Sequence, residues 1–275
     1  MSLSILISNR FIKLLGNISK MLCYPFHWVL PHKRFTIPEY SPAKIHPTNI
    51  HKIPKIIWQT NYTNHVSLPV YLNYLFNRLM SLDYEYRYTS TEGRREYLLT
   101  SSSQEIVDAY DQLINGASQA DLWRLVVLYN EGGLYMDIDA HFIWPLAKII
   151  EPEYEELFLT TKKHMSNYFI AVQKGNKIIK DTIDLVVKNI QTENIGSGVY
   201  SLTGPGALNT AIGEREVNHK LYKYICVQGS FTNEYFQYID KPRGKWTHAK
   251  KQDLLRSVQS RALAQEKSKA KTEAN

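Results

Sequence analysis

Three observations predict an α/β fold with a mostly parallel central sheet. Apolar strand-like runs alternate with helical stretches over residues 55–190, one helix carries its own start and stop signals, and one strand ends in two spaced aspartates. With 275 residues the chain is long enough for one such domain with additions at both ends. Hydrophobic residues make up 44% and charged residues 21%, so a full core can be buried and global disorder is excluded.

The folded body is expected to open with Lys55-Ile-Ile-Trp-Gln-Thr60, a short apolar run suited to a buried strand. Residues 68–82 read as helix and 84–88 alternate as a second strand; helices are expected at 92–99, 103–113 and 118–130. A strand over 134–139 follows, then strands at 157–161 and 168–172 and a helix over 177–190. Residues 1–34 are expected to form an amphipathic segment, 35–54 a connector rich in proline, 55–249 the main domain, and 250–275 a basic tail that is helical or disordered.

Charge is distributed unevenly. Residues 1–38 hold Arg10, Lys13, Lys20, Lys33 and Arg34 with no acidic residue, the stretch from Lys241 onward is also basic, and the body between them is mildly acidic. A nucleic-acid groove would place its basic residues within the body, so no nucleic-acid partner is expected. The apolar positions of the N-terminal segment recur at helical spacing between lysines and arginine, which suits an interfacial helix on an anionic membrane or a helix packed on its own domain. Those charges argue against a cleavable signal or a membrane span. Two cysteines, Cys23 and Cys226, fit a reducing compartment.

The chemistry concentrates in residues 118–139. Ser118 is placed to cap the helix with Asp121 at its third position, Leu122, Leu125, Val126 and Tyr129 make the buried stripe, and Gly132-Gly133 allows the exit. Asp121 and Arg124 stand one turn apart and can face one site. In the strand, Tyr135, Asp137 and Asp139 share a face, with the aspartates about 6–7 Å apart along the backbone. Two hard carboxylates at that spacing suit Mn²⁺ or Mg²⁺ beside a diphosphate, whose departure builds negative charge that a cation neutralises.

This arrangement of Asp-x-x-Arg followed by Gly-Gly-x-Tyr-x-Asp-x-Asp resembles the glycosyltransferases with a DXD sugar-binding region, family 32 in type. They include yeast mannosyltransferases, bacterial capsule and lipopolysaccharide enzymes, and relatives of the clostridial toxins. Ile53-Pro-Lys-Ile-Ile-Trp-Gln59 looks like the family's opening strand. The resemblance implies a GT-A nucleotide-sugar-binding fold. It also implies that Asp121 and Arg124 hold donor-sugar hydroxyls, and that Asp137 and Asp139 serve the ribose or sugar and the metal, with Asp139 the surer ligand. Trp58 would stack on the nucleobase, and Tyr135 would belong to the donor site. Thr203-Gly204-Pro205 matches a further family element, while Gly244-Lys-Trp-Thr-His248 departs from the usual closing segment, leaving Trp246 as a donor contact and His248 without a role. Lys245 is a candidate for phosphate and His141 for the metal.

The expected activity is retaining transfer of a hexose or N-acetylhexosamine from a nucleotide-sugar, a UDP-sugar foremost. The acceptor would be a glycan or glycolipid of lipopolysaccharide, lipooligosaccharide or capsule assembly, and the enzyme peripheral on the inner face of the cytoplasmic membrane. A toxin-like protein glycosyltransferase is the alternative. A haloacid-dehalogenase-type phosphohydrolase shares the strand with Asp-x-Asp, but His141 stands where that motif expects Thr or Val. A non-enzymatic scaffold would leave the acidic face unexplained.

Overall fold

A computed structural model describes residues 3–46, 50–162, 164–242, 244–248 and 250–256. The chain opens with α1 (Leu3–Val29), β1 (Phe35–Thr36), β2 (Tyr40–Ser41), β3 (Ile56–Thr60), β4 (His65–Val66), α2 (Leu68–Leu79) and β5 (Glu85–Thr89). Next come α3 (Thr91–Ser101), α4 (Gln104–Gln112), α5 (Gly116–Glu131), β6 (Gly133–Met136), β7 (Ala140–Phe142), β8 (Glu156–Thr161) and β9 (His164–Val172). The remainder is α6 (Lys177–Gln191), α7 (Val199–Leu202), α8 (Pro205–Ile212), β10 (His219–Leu221), β11 (Cys226–Gln228) and α9 (Glu234–Gln237).

Seven strands form the central sheet in the order β10-β8-β9-β6-β3-β5-β2. β3 runs parallel to both β5 and β6, and β10 parallel to β8, whereas β2–β5, β6–β9 and β8–β9 are antiparallel. The sheet is therefore mixed rather than mostly parallel. Its departure has a local cause: β8 and β9 are joined by a tight turn at Lys162, with φ 59°, too short for the crossover that parallel neighbours need. Strand alternation divides the core. Trp58, Tyr135 and Ile170 pack under α5, α6 and α8, while Ile57, Leu134 and Met136 face Val70, Tyr74 and Phe142 on the other side.

The motif helix is buried along most of its length, which suits a helix held between sheet and neighbouring helices rather than an amphipathic surface helix. It starts earlier than its sequence suggests. Asn115 is the N-cap, accepting from Ala117 N, and Ser118 is buried within the first turn, so Asp121 is not part of a capping box. The exit is as expected: Gly132 and Gly133 take φ of 70° and 100°. A Cβ on Gly132 would stand 2.7 Å from Lys174 N, and one on Gly133 2.8 Å from Ile56 O, so both conformation and closeness demand glycine.

The segments that flank the body pack against it. Within 35–54, β2 closes the sheet edge and Ile37 and Ile53 are fully buried, so the described part of the connector belongs to the domain. Beyond residue 249, Leu254 and Leu255 are buried and Ile114 N donates to Leu254 O, which ties the tail's start to the end of α4; residues 257–275 lie outside the described residues. At the other end α1 docks on the domain, burying Asn9, Ile12, Gly16, Cys23 and His27 at spacings of three, four and seven.

Candidate active site

The parallel strands β3 and β6 end beside the N-terminal half of α5, and there a cleft of about 310 Å³ opens, lined among others by Thr60, Asp121, Arg124, Asp137, Gln228 and Tyr238. Asp137 and Asp139 do not extend β6. Asp137 N makes the last ladder bond to Tyr168 O, then Ala140 N bonds back to Asp137 O, so both aspartates sit in a tight turn between β6 and β7. They still converge. The side-chain amide of Gln228 donates to Asp137 Oδ2 at 3.2 Å and to Asp139 Oδ1 at 3.0 Å.

Arg124 joins the helix to that turn. Its Nη2 lies 3.0 Å from Asp121 Oδ1 and its Nη1 3.2 Å from Asp137 Oδ1, while Nη1 also donates to Asn167 O at 2.7 Å. Its guanidinium sits 4.1 Å from the centre of the Tyr135 ring, whose hydroxyl donates to Asp137 Oδ1 at 2.8 Å. Asp121 further accepts from Asn167 Nδ2 on Oδ1 and from Thr203 Oγ1 on Oδ2. A carboxylate offers about four acceptor positions, so one on Asp121 remains for a ligand hydroxyl.

The electrostatics follow from burial. Desolvation raises the Asp121 carboxyl to about 6 against the pull of Arg124. Burial, then the neighbouring Asp137 charge, raises Asp139 to about 7, and Asp137 is raised as well despite Arg124. Burial opposes the Arg124 charge, yet Tyr135, Asp121 and Asp137 hold the guanidinium above its ordinary value. The Arg124 guanidinium thus serves Asp121 and Asp137 but not Asp139, which leaves the site short of positive charge there. Among the described residues no group of three His, Cys, Asp or Glu side chains converges on a metal position. Asp137 and Asp139 could supply two hard oxygens, the number that Mg²⁺ or Mn²⁺ takes when phosphate and water fill its other positions.

Residues 69–156, which hold all four of these charged side chains, match the family model described as the glycosyltransferase sugar-binding region containing a DXD motif. An uncharacterized glycosyltransferase of Acanthamoeba polyphaga mimivirus is 23% identical over 192 residues, 69% of this chain and 76% of that protein. A toxin of Photorhabdus asymbiotica is 36% identical over 112 residues, 38% of this chain but 4% of the toxin's length. The solved PaToxG glycosyltransferase superposes with a TM-score of 0.50 at 24% identity, covering 58% of this chain and 69% of that one. Over residues 69–156 the chain is thus similar to the DXD glycosyltransferases.

In this chain the residues expected at the site are not all brought together. Asp121, Arg124, Tyr135 and Asp137 line the cleft, Asp139 adjoins Asp137, and Trp246 lines the cleft from a short turn at Trp246–His248. Trp58 is placed elsewhere. It is buried in the core at 5% exposure, edge-on to Trp123, with its indole N–H donating to Gly132 O at 3.0 Å, so no ring face is open to a nucleobase. Strand alternation turns it toward the helices beneath the site. His141 is also withdrawn. It is fully buried in β7 between Phe76 and Phe231, neither ring nitrogen has a hydrogen-bond partner among the described residues, and burial pushes its pKa down to about 3. Lys245 pairs with Glu234 at 3.2 Å, and His248 Nε2 meets the same carboxylate.

Sequence reasoning missed Gln228 and Asn167. Gln228 reaches the turn because β11 pairs antiparallel with β7, bringing it opposite Ala140. Asn167 lies on β9 and clamps the helix pair from across the sheet. Neither carries a local signal. Thr203 belongs to the Thr-Gly-Pro element, and its hydroxyl turns that element into a brace for Asp121.

Proposed function

We propose that this chain is a glycosyltransferase that takes a hexosyl or N-acetylhexosaminyl group from a nucleotide-sugar, a UDP-sugar in the first instance, and passes it with retention to a glycan acceptor of lipopolysaccharide, lipooligosaccharide or capsule assembly. The observation that carries the reading is the continuous bridge from Asp121 through Arg124 to Asp137, with Asp139 beside it and short of positive charge. In the reaction the bond from the anomeric carbon to the diphosphate oxygen breaks, a bond to the acceptor oxygen forms, and the acceptor proton is released. Asp137 and Asp139 would hold Mn²⁺ or Mg²⁺, which neutralises the charge developing on the diphosphate.

The chain's own groups do the positioning. Asp121, kept in place by Arg124, Asn167 and Thr203, offers its remaining acceptor position to a sugar hydroxyl. Arg124 spends most of its N–H groups on Asp121, Asp137, Asn167 O and Ala120 O, so it is a strut before it is a ligand contact. Tyr238 and Trp246 give the cleft flat walls of the kind that sugar rings and bases pack against.

Incubation with a panel of UDP- and GDP-sugars in the presence of Mn²⁺, with released nucleotide measured, tests the donor. Turnover of at least one UDP-sugar is expected, and no release from any member would overturn the reading. A second reading, toxin-like transfer to a protein, is favoured by the 36% identity with the Photorhabdus toxin. Labelled donor separates the two readings: label in a lipid-linked glycan fraction supports the first, and label in protein the second.

A further inference from the structure

The outer side of α1 faces no other part of the described chain. Its inner side is docked: Ile12 packs with Ile143, Val227 and Phe231, Asn9 donates to Lys223 O, and Lys20 donates to Gly229 O. Gly16 is so close that an added Cβ would stand 3.0 Å from the Phe231 ring. Along the outer side Leu3, Ile7, Phe11, Leu14, Met21 and Trp28 are each 60% or more exposed. Helical spacing joins them into one strip, and over 27 residues a helix is about 40 Å long. Contiguous apolar patches above a few hundred Å² are rare on soluble monomers and mark interaction surfaces.

Two observations choose the occupant. No described helix is long and apolar enough to cross a membrane, so α1 would lie along an interface rather than through one. Residues 1–38 contain no acidic side chain, so Arg10 and Lys13, which border the strip, have no acidic partner on their own helix. A second copy meeting the same face through a twofold axis would set these like charges against each other. An anionic lipid surface instead offers acyl chains to the strip and headgroups to its basic border.

We propose that the outer face of α1 docks on an anionic membrane surface, with the apolar strip among the acyl chains. The same helix, with the residues that follow it, grips the segment that walls the cleft. Tyr24 OH accepts from Asn233, Tyr24 packs on Phe236, and Arg34 pairs with Asp240, close to the cleft residues Gln237, Tyr238 and Lys241. Docking would thus hold the cleft in a set orientation to the lipid. This proposal stands independently of the donor assignment.

Co-sedimentation of the full chain with phosphatidylcholine vesicles, with and without phosphatidylglycerol, tests it. The wild type is expected to pellet with the anionic vesicles. Phe11→Glu combined with Leu14→Glu, both on the outer face, should leave it in the supernatant with an unchanged thermal unfolding midpoint. Arg10→Ala should weaken binding to anionic vesicles roughly fivefold and leave neutral vesicles unaffected. Wild type remaining in the supernatant with anionic vesicles would overturn the proposal. So would light scattering that finds a dimer of the wild type which Phe11→Glu dissociates, because the strip would then belong to a second copy.

Discussion

At the scale of single residues the site is a competition for positive charge. Arg124 serves Asp121 and Asp137, while the charge on Asp139 is favoured by the Gln228 amide, a backbone N–H and the more distant Lys245. Asp139→Asn should keep the fold and lower turnover by orders of magnitude, read by nucleotide release in Mn²⁺ beside an unchanged melting curve. Excess chelator should abolish turnover in the wild type, and Mn²⁺ or Mg²⁺ should restore it. The pH dependence of the metal-free protein has a definite sign. Asp121 at about 6 and Asp139 at about 7 bind protons more tightly when folded than their ordinary value of 3.8 allows. Stability should therefore fall as pH rises from about 4 to about 7, the reverse of a carboxylate stabilised by a partner. Denaturant midpoints across that window check this, and saturating Mn²⁺ should flatten the decline by replacing the proton with the cation. Arg124→Ala removes the partner of a buried carboxylate pair, which costs about 3–5 kcal/mol by analogy with other buried pairs. Denaturant unfolding should therefore show a large loss of stability together with the loss of activity.

At the scale of elements, the glycines and α1 set what can be changed. Gly133→Val should prevent β6 from closing on β3, because a side chain there meets Ile56 O at 2.8 Å with φ at 100°. Soluble expression and thermal unfolding would report it. The N-terminal helix is more than an accessory. It contacts the chain around residues 223–240, and Gln228 from that stretch holds both motif aspartates. Removal of residues 1–34 should lower donor hydrolysis several-fold even without membranes, contrary to what a detachable anchor would show. Hydrolysis equal to that of the full chain would mean the cleft wall holds its place unaided. The strand of the motif was legible as far as Met136, and so was the body of its helix, because each is set by neighbours within a turn or two. Its exact start was not, since Asn115 captured the cap that Ser118 also fits. Ser118 is buried by packing, a circumstance that spacing does not express.

At the scale of the molecule, the tail's first residues join the core. Leu254 is 1% exposed and Ile114 N donates to its carbonyl, so Leu254→Ala should cost about 2–5 kcal/mol in denaturant unfolding, as large-to-small core changes do. The sequence by itself determined the α/β class, the motif helix with its glycine exit, and the candidates Asp121, Arg124, Asp137 and Asp139. All of these depend on local spacing, which period and turn chemistry govern. Only the tertiary structure decided that the sheet is mixed, that Trp58 and His141 are core, and that Asn167, Thr203 and Gln228 complete the site. Those three partners arrive from 46, 82 and 91 residues away from the aspartates they bond. Contacts over such separations are fixed by strand pairing and layer packing, and no local pattern in the chain records them.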